Sequence, residues 1–390
     1  MNIMGMQQSK RAGGRELSVL LDARKIGDGG IGTYIHNLLC GLQHCEDVRV
    51  RVLCGARRVA LLPEPYQSSC IVDNAKPYSL DEYWGLGRRL GQEGVDVFHS
   101  PHFTLPFGLP FPSIVTVHDL IHLRHPERRW YPLVAGPLIR SALRRAHAVI
   151  AVSEATRRDL LSLRGVSSTL DRKLYVVPNA IAPEVLEQQF ESPAEPVEPY
   201  IVGVFSNNKP HKGLDQLLEA FRRFKDRKGY IAEGSFGDRI KLVLVGKGTA
   251  HASPVHADVV CCGEVSRSEL TTLYREAQAL VVSSRIEGFC LPVVEAKALG
   301  VPILTTPVPA VLELLDSEDL VCSDFGVSGL EQGMRRLVEK AEQCGGTLPR
   351  TFSAKFNDKY NYIALAQQVA SLYRLQLDEH QIGNVTCASP

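Results

Sequence analysis

The 390-residue sequence contains no Cys-x-x-C pair and no cysteine–histidine grouping at metal-ligand spacing, although it has ten cysteines. Cys261 and Cys262 are adjacent and poor disulfide partners for each other, so a reduced, cytoplasmic chain is expected rather than a disulfide scaffold. There is no Asp-x-Asp either, and no carboxylate cluster suited to a divalent ion, so neither metal nor cofactor is expected. No apolar run approaches the roughly 18 residues that a membrane-spanning helix needs. Lys10, Arg11 and Arg15 are not followed by an apolar stretch of signal-peptide length, and residues 1–14 read as a disordered leader. Net charge is missing as well: 44 lysines and arginines face 43 acids, which argues against a dedicated nucleic-acid binder.

What the chain does have is length and alternation. It suits two domains of roughly 150–200 residues each. Short apolar runs alternate with amphipathic helical stretches from end to end, the pattern of parallel α/β architecture. Strands are expected at Leu17–Asp22, Val48–Leu53, Val95–His99, Ser113–His118, Ala148–Val152 and Leu174–Val177. A second series is expected at Tyr200–Phe205, Ile240–Val245, Val259–Cys261, Ala279–Val282 and Val301–Thr305. Between the series, Ala182–Pro199 is rich in Glu and Pro and reads as a linker with a short helix. The expected division is a Rossmann-like domain over 15–183, a linker over 184–199 and a second Rossmann-like domain over 200–358. A final helix follows at 359–378, its pattern strongest over Tyr360–Leu375, and then a tail at 379–390.

Four stretches carry polar residues at strand ends, where open parallel sheets bind ligands. After Ala279–Val282, a loop bears Glu287, and a helix expected from near Pro292 bears Glu295. After Tyr200–Phe205, a turn holds Lys209 and Lys212 ahead of a helix, where a lysine adds its charge to the helix N-terminal field. After Ser113–Val117 come His118 and Asp119, with His99 and His102 at a neighbouring strand end. After Leu17–Asp22, Gly27-Asp28-Gly29-Gly30-Ile31-Gly32 formally matches G-x-G-x-x-G. The dinucleotide reading of that match lacks its acid, since Val48–Leu53 runs into Cys54-Gly55-Ala56-Arg57-Arg58. An NADP-dependent oxidoreductase using Arg57 stays open as an alternative.

The strings around these residues resemble one family. Glu287-Gly288-Phe289-Cys290-Leu291-Pro292 followed by Glu295-Ala296 resembles the Glu-x7-Glu signature of retaining, nucleotide-sugar-dependent glycosyltransferases of the GT-B fold, glycosyltransferase family 4, mannosyltransferases among them. Asp22-Ala23-Arg24 with Gly30-Ile31-Gly32, Val117-His118-Asp119, and Pro210-His211-Lys212-Gly213 resemble further segments of that family. The resemblance implies two Rossmann-like domains facing across a cleft, the first on the acceptor side and the second holding the donor. It assigns His118, Glu287 and Lys212 to the reacting sugar and diphosphate. Gly30, Gly32, Lys209, Gly288, Phe289, Cys290, Leu291 and Glu295 become donor contacts. Asp119 either orients His118 or holds the acceptor, which His99 and His102 line. The chain departs from the family at Cys290 and Ala180, where glycine is usual, at Ser283, where proline is usual, and near Ser206, where an arginine is missing.

The activity implied is metal-independent, retaining transfer from a nucleotide sugar, with GDP-mannose or a related GDP-sugar favoured. The acceptor is a glycan or lipid-linked saccharide of polysaccharide or lipopolysaccharide assembly. A catalytically silent sugar-nucleotide-binding protein is the non-enzymatic alternative. Over 128–147 the arginines interleave with Trp130, Tyr131 and Leu133, a pattern that suits either peripheral contact with an anionic membrane or a helix with one wet face.

Overall fold

The computed structural model describes residues 16–126, 128–165, 169–189, 198–226, 232–249 and 256–387. The expected leader and the 190–197 part of the expected linker lie outside the described residues. The chain divides into two units, one of Met1–Ala180 with Tyr360–Pro390 and one of Ile181–Lys359.

The first unit is built on seven parallel strands: β1 (Leu17–Asp22), β2 (Val48–Cys54), β3 (Ile71–Val72), β4 (Val97–Ser100), β5 (Ser113–Val117), β6 (Ala148–Ala151) and β7 (Leu174–Val176). They lie in the order β3-β2-β1-β4-β5-β6-β7. The second unit has six, β8 (Tyr200–Val204), β9 (Lys241–Val245), β10 (Val259–Gly263), β11 (Ala279–Val282), β12 (Ile303–Thr305) and β13 (Leu320–Val321), in the order β10-β9-β8-β11-β12-β13. In each sheet the order reverses once, between β1 and β4 and between β8 and β11. A crevice opens at such a point, because the two connections leave in opposite directions. Every residue of β5, β6 and β11 is buried, which is why β6 and β11 read as unbroken apolar runs and β5 as a run broken only by Ser113 and Thr116. β3 and β13 are two residues long, too short to show any pattern in sequence.

The helices that matter here are α1 (Gly29–Leu42), α2 (Tyr131–Arg145), α3 (Leu214–Asp226), α4 (Arg267–Glu276), α5 (Leu291–Ala298), α6 (Val327–Gln343) and α7 (Tyr362–Cys387). On α3, Leu214, Leu217, Leu218, Phe221 and Phe224 fall on one stripe and share a core with Leu330, Met334, Leu337 and Val338 of α6. α4 begins in a capping box in which Ser266 and Glu269 satisfy each other's backbone N–H groups. From α7, Leu365, Ala366, Val369, Leu372 and Tyr373 enter the core of the first unit beside Tyr34, Leu38 and Leu42 of α1. Gly41 makes that contact close: a Cβ there would lie 2.2 Å from the Tyr362 carbonyl oxygen. α7 continues to Cys387 rather than giving way to a tail at 379, although apolar spacing fades after Leu375.

Candidate functional site

The second unit's crevice is framed by the loops after β8 and β11. Leaving β8, the chain makes a tight turn over Pro210–Lys212 and enters α3 through Gly213, whose φ of 71° is left-handed. A Cβ on Gly213 would stand 2.2 Å from the Ser283 carbonyl oxygen, so only glycine lets the two loops meet this closely. Ser283 Oγ donates to the Lys212 carbonyl oxygen at 2.9 Å, and the Arg285 N–H donates to that of His211 at 2.8 Å. Held this way, Lys212 Nζ lies 2.7 and 2.9 Å from the two carboxylate oxygens of Glu287. Ser284 Oγ donates to Glu287 Oε1 at 2.6 Å. The expected cation and one expected carboxylate therefore form a forked ion pair.

Beyond Glu287, Gly288 and Phe289 are buried, and the chain reaches α5 through Cys290. α5 starts at Leu291 with Pro292 in its first turn, where a missing N–H removes no helical bond. Glu295, one turn in, is 2 % exposed. Arg267 Nη1 donates to its Oε1 at 2.8 Å, and the Tyr274 hydroxyl donates to Oε2 at 3.2 Å. Burial raises the Glu295 carboxyl above its ordinary range, and the Arg267 charge and the Tyr274 bond pull it back. Arg267 and Tyr274 belong to a stretch expected to be helical, with no site role expected for either. They lie seven residues apart on α4, two helical turns, and so share a face. Lys209 is half-buried in the β8 loop, its N–H donating to Asn207 Oδ1 at 3.3 Å.

Cys290 has φ 77°, a left-handed conformation that a side chain occupies only under strain. Cys290→Gly is therefore expected to raise the stability of the second unit by up to about 1 kcal/mol, strain relief outweighing the extra chain entropy of glycine. Urea midpoints of the two proteins measure it. Cys290→Ala keeps the Cβ and should give no gain.

In the first unit, His118 is half-buried at the end of β5, its Nε2 3.1 Å from the Pro101 carbonyl oxygen. A carbonyl only accepts, so Nε2 carries the proton of the neutral ring and Nδ1 keeps the lone pair. Burial pushes the ring down to about 4, against the pull of that hydrogen bond. Asp119 Oδ1 accepts the Ile121 N–H at 2.9 Å and shapes the turn after the strand. His99 does not line an acceptor site. It is fully buried, with Nδ1 2.7 Å from the Tyr373 hydroxyl and Nε2 2.8 Å from Thr116 Oγ1, both nitrogens engaged within the core. His102 is buried, and its Nδ1 has no hydrogen-bond partner among the described residues. In the glycine stretch, Gly27 and Gly29 carry the left-handed φ values, whereas Gly30 and Gly32 already belong to the first turn of α1. A Cβ on Gly32 would sit 2.5 Å from the Gly27 nitrogen.

His99 and His118 also make a pH prediction. Both are held below their unfolded value of about 6.5, His99 at about 3 and His118 at about 4. Between those values the unfolded chain binds more protons than the folded one, so stability is lost as pH falls below 6.5. The slope approaches about 1.4 kcal/mol per pH unit for each histidine. Both tryptophans, Trp84 and Trp130, lie in the first unit, so their emission in urea titrations follows that unit alone. These two account for an expected loss of about 2–3 kcal/mol from pH 6 to pH 5, to which His102 and His147, also held down by burial, add; about 1 kcal/mol of the total should vanish in His99→Gln.

The basic stretch over 128–147 forms α2. Trp130, Leu133 and Val134 are half or more exposed at its start. Arg140, Arg144 and Arg145 donate to the carbonyl oxygens of Arg164, Gly165 and Leu105, and Arg145 also lies over the Phe107 ring. Among the described residues no helix is long and apolar enough to cross a membrane, and no group of three or more His, Cys, Asp or Glu could hold a metal ion.

Residues 28–185 match the family model described as Glycosyltransferase Family 4, and residues 186–345 match Glycosyl transferases group 1. The O-antigen chain mannosyltransferase RfbU of Salmonella typhimurium is 26% identical over 89% of this chain and 95% of its own length. O-antigen chain mannosyltransferase B of Escherichia coli is 25% identical over 72% of each chain. Among solved structures, sucrose-phosphate synthase of Thermosynechococcus elongatus aligns at TM-score 0.67 and 17% identity over 92% of this chain and 98% of that one. Anabaena HepE in complex with UDP-glucose aligns at 0.65 and 17% identity over 91% and 99%. Two parallel Rossmann-like units, the GT-B likeness and consecutive matches over 28–345 agree: the chain belongs to the group 1 glycosyltransferases with a family 4 N-terminal half, and is a glycosyltransferase.

Proposed function

We propose that the chain is a retaining mannosyltransferase that takes its sugar from GDP-mannose or a related GDP-sugar, without a metal, and delivers it to a glycan or lipid-linked saccharide of surface polysaccharide assembly. The observation that carries this reading is the Lys212–Glu287 pair beside the buried Glu295, all at the β8–β11 crevice. Lys212 suits a diphosphate, which competes with Glu287 for its charge. Glu287, once released, suits sugar hydroxyls, and the two oxygens of Glu295 suit a ribose diol. The N-terminal field of α5 adds positive potential where leaving-group charge develops.

In this reading the bond from the sugar's anomeric carbon to the diphosphate breaks, and its electron pair leaves on the diphosphate oxygen. The acceptor hydroxyl forms the new bond on the same face, and its proton passes to that oxygen. His118 Nδ1, neutral near pH 7, accepts a hydrogen bond from a hydroxyl of the donor sugar. The mannose preference follows the relatives RfbU and mannosyltransferase B, whereas HepE was solved with UDP-glucose, so the base is the freer choice. Arg128, Arg129 and the exposed Trp130, Leu133 and Val134 suit peripheral contact with an anionic membrane surface.

Thermal shift against GDP-, UDP- and ADP-sugars and nicotinamide nucleotides tests the donor. Proton NMR of the product's anomeric configuration tests retention. Stabilisation by a GDP-sugar with an α-linked product from an α-linked donor is expected. No response to any nucleotide sugar sinks the reading, and stabilisation without turnover on any acceptor makes the chain a silent binder.

A further inference from the structure

The first unit holds a cavity of about 590 Å³ at the carboxyl ends of β1, β2 and β4, where its strand order reverses. The carboxylates on its wall are already engaged. Arg24 Nη2 lies 2.6 Å from Asp22 and 3.0 Å from Glu82, Arg58 lies 2.7 Å from Asp28, and Arg89 lies 2.7 Å from Asp73. Three cations on the same wall, Lys25, Arg57 and Lys76, have no carboxylate in ion-pair contact among the described residues. Lys25 is the least exposed of them, and its Nζ rests 5.6 Å from the centre of the Tyr78 ring.

Tyr78 is strained, with φ 62°, a conformation that costs a tyrosine energy and that collects at ligand sites. Its N–H donates to Glu82 Oε2 at 2.5 Å, which ties the strained residue to the Arg24 network and its ring to Lys25. His102, on the same wall, is 7 % exposed, and its buried Nδ1 is unpartnered among the described residues. That nitrogen is shut off from the cavity, so His102 serves here as wall.

We infer that this cavity holds an anionic group of the sugar acceptor, a diphosphate or a carboxylate, with Lys25, Arg57 and Lys76 supplying the countercharge. The inference rests on the glycosyl-transfer reading, since it assigns the cavity to the acceptor. Tyr78 is a positioning residue that holds Lys25 beside the anion.

Calorimetric titration of the full chain, with GDP saturating the second unit, tests it with three probes: inorganic diphosphate, methyl glucuronide and the neutral methyl mannoside. At least one anion should bind, and Lys25→Gln/Lys76→Gln should weaken it ten-fold or more. Arg57→Gln, at an exposed position, should weaken it several-fold and guards against a folding defect in the double variant. Binding of diphosphate alone points to a lipid diphosphate, and binding of glucuronide alone to an acidic sugar. No anion binding, equal binding of methyl mannoside, or unchanged affinity in the lysine variants overturns the inference. Absence of GDP binding counts against the donor reading instead, and the anion titrations are then run without GDP.

Discussion

Glu295→Gln is expected to raise the KM for the nucleotide sugar about 100-fold while leaving kcat within a few-fold, two charge-assisted hydrogen bonds of about 1.5–3 kcal/mol each being weakened. The ribose lies away from the reacting carbon, so its contacts serve ground and transition states alike. Glutamine keeps the shape but puts an amide where Arg267 now donates to Oε1. Arg267→Ala should show a smaller effect in the same direction, because Tyr274 still holds Oε2. Steady-state kinetics with varied donor separates the two constants. A fall in kcat at unchanged KM would place Glu295 in the chemical step and refute the ribose assignment.

The second large effect comes from the Lys212–Glu287 pair, and its sign depends on the ligand. In the free protein Glu287 occupies the charge that a diphosphate needs. Glu287→Gln is therefore expected to bind a bare nucleoside diphosphate about 3- to 10-fold more tightly, since a partly exposed pair of this kind contributes about 1 kcal/mol. The same variant should lose about 10²- to 10³-fold in kcat with the intact donor, the usual scale for one group aimed at developing charge. Lys212→Gln should weaken both. Direct binding of the nucleoside diphosphate to the three proteins is decisive: if Glu287→Gln weakens it as much as Lys212→Gln, the competition does not exist.

How much of this was legible in the chain depends on the range of the interaction. Strands buried on both faces announce themselves as apolar runs, so β5, β6 and β11 were readable within a residue or two. Glu287, Glu295 and Lys212 were readable because each sits in a local string at a strand end. Their partnership was not, since it joins loops 75 residues apart. His99 misled for the same reason: Tyr373, which closes it off, lies 274 residues later. Arg267 was one of many arginines until α4 brought it to the carboxylate. The strained φ of Tyr78 has no signature in residue type, because tertiary contacts impose it, whereas that of Cys290 is signalled only by the glycine usual at its position.

The packing of α7 on α1 has a consequence for synthesis. By Ala180 the ribosome has delivered all seven strands of the first unit, yet Tyr34, Leu38 and Leu42 still lack the Leu365–Tyr373 face that completes their core. The second unit is continuous in sequence and can close first. At about 5–20 residues per second, the first sheet waits roughly 10–35 s for its missing helix. During that interval the nascent chain exposes an apolar face that chaperones recognise, and a ribosome stalled within residues 181–359 leaves that face uncovered.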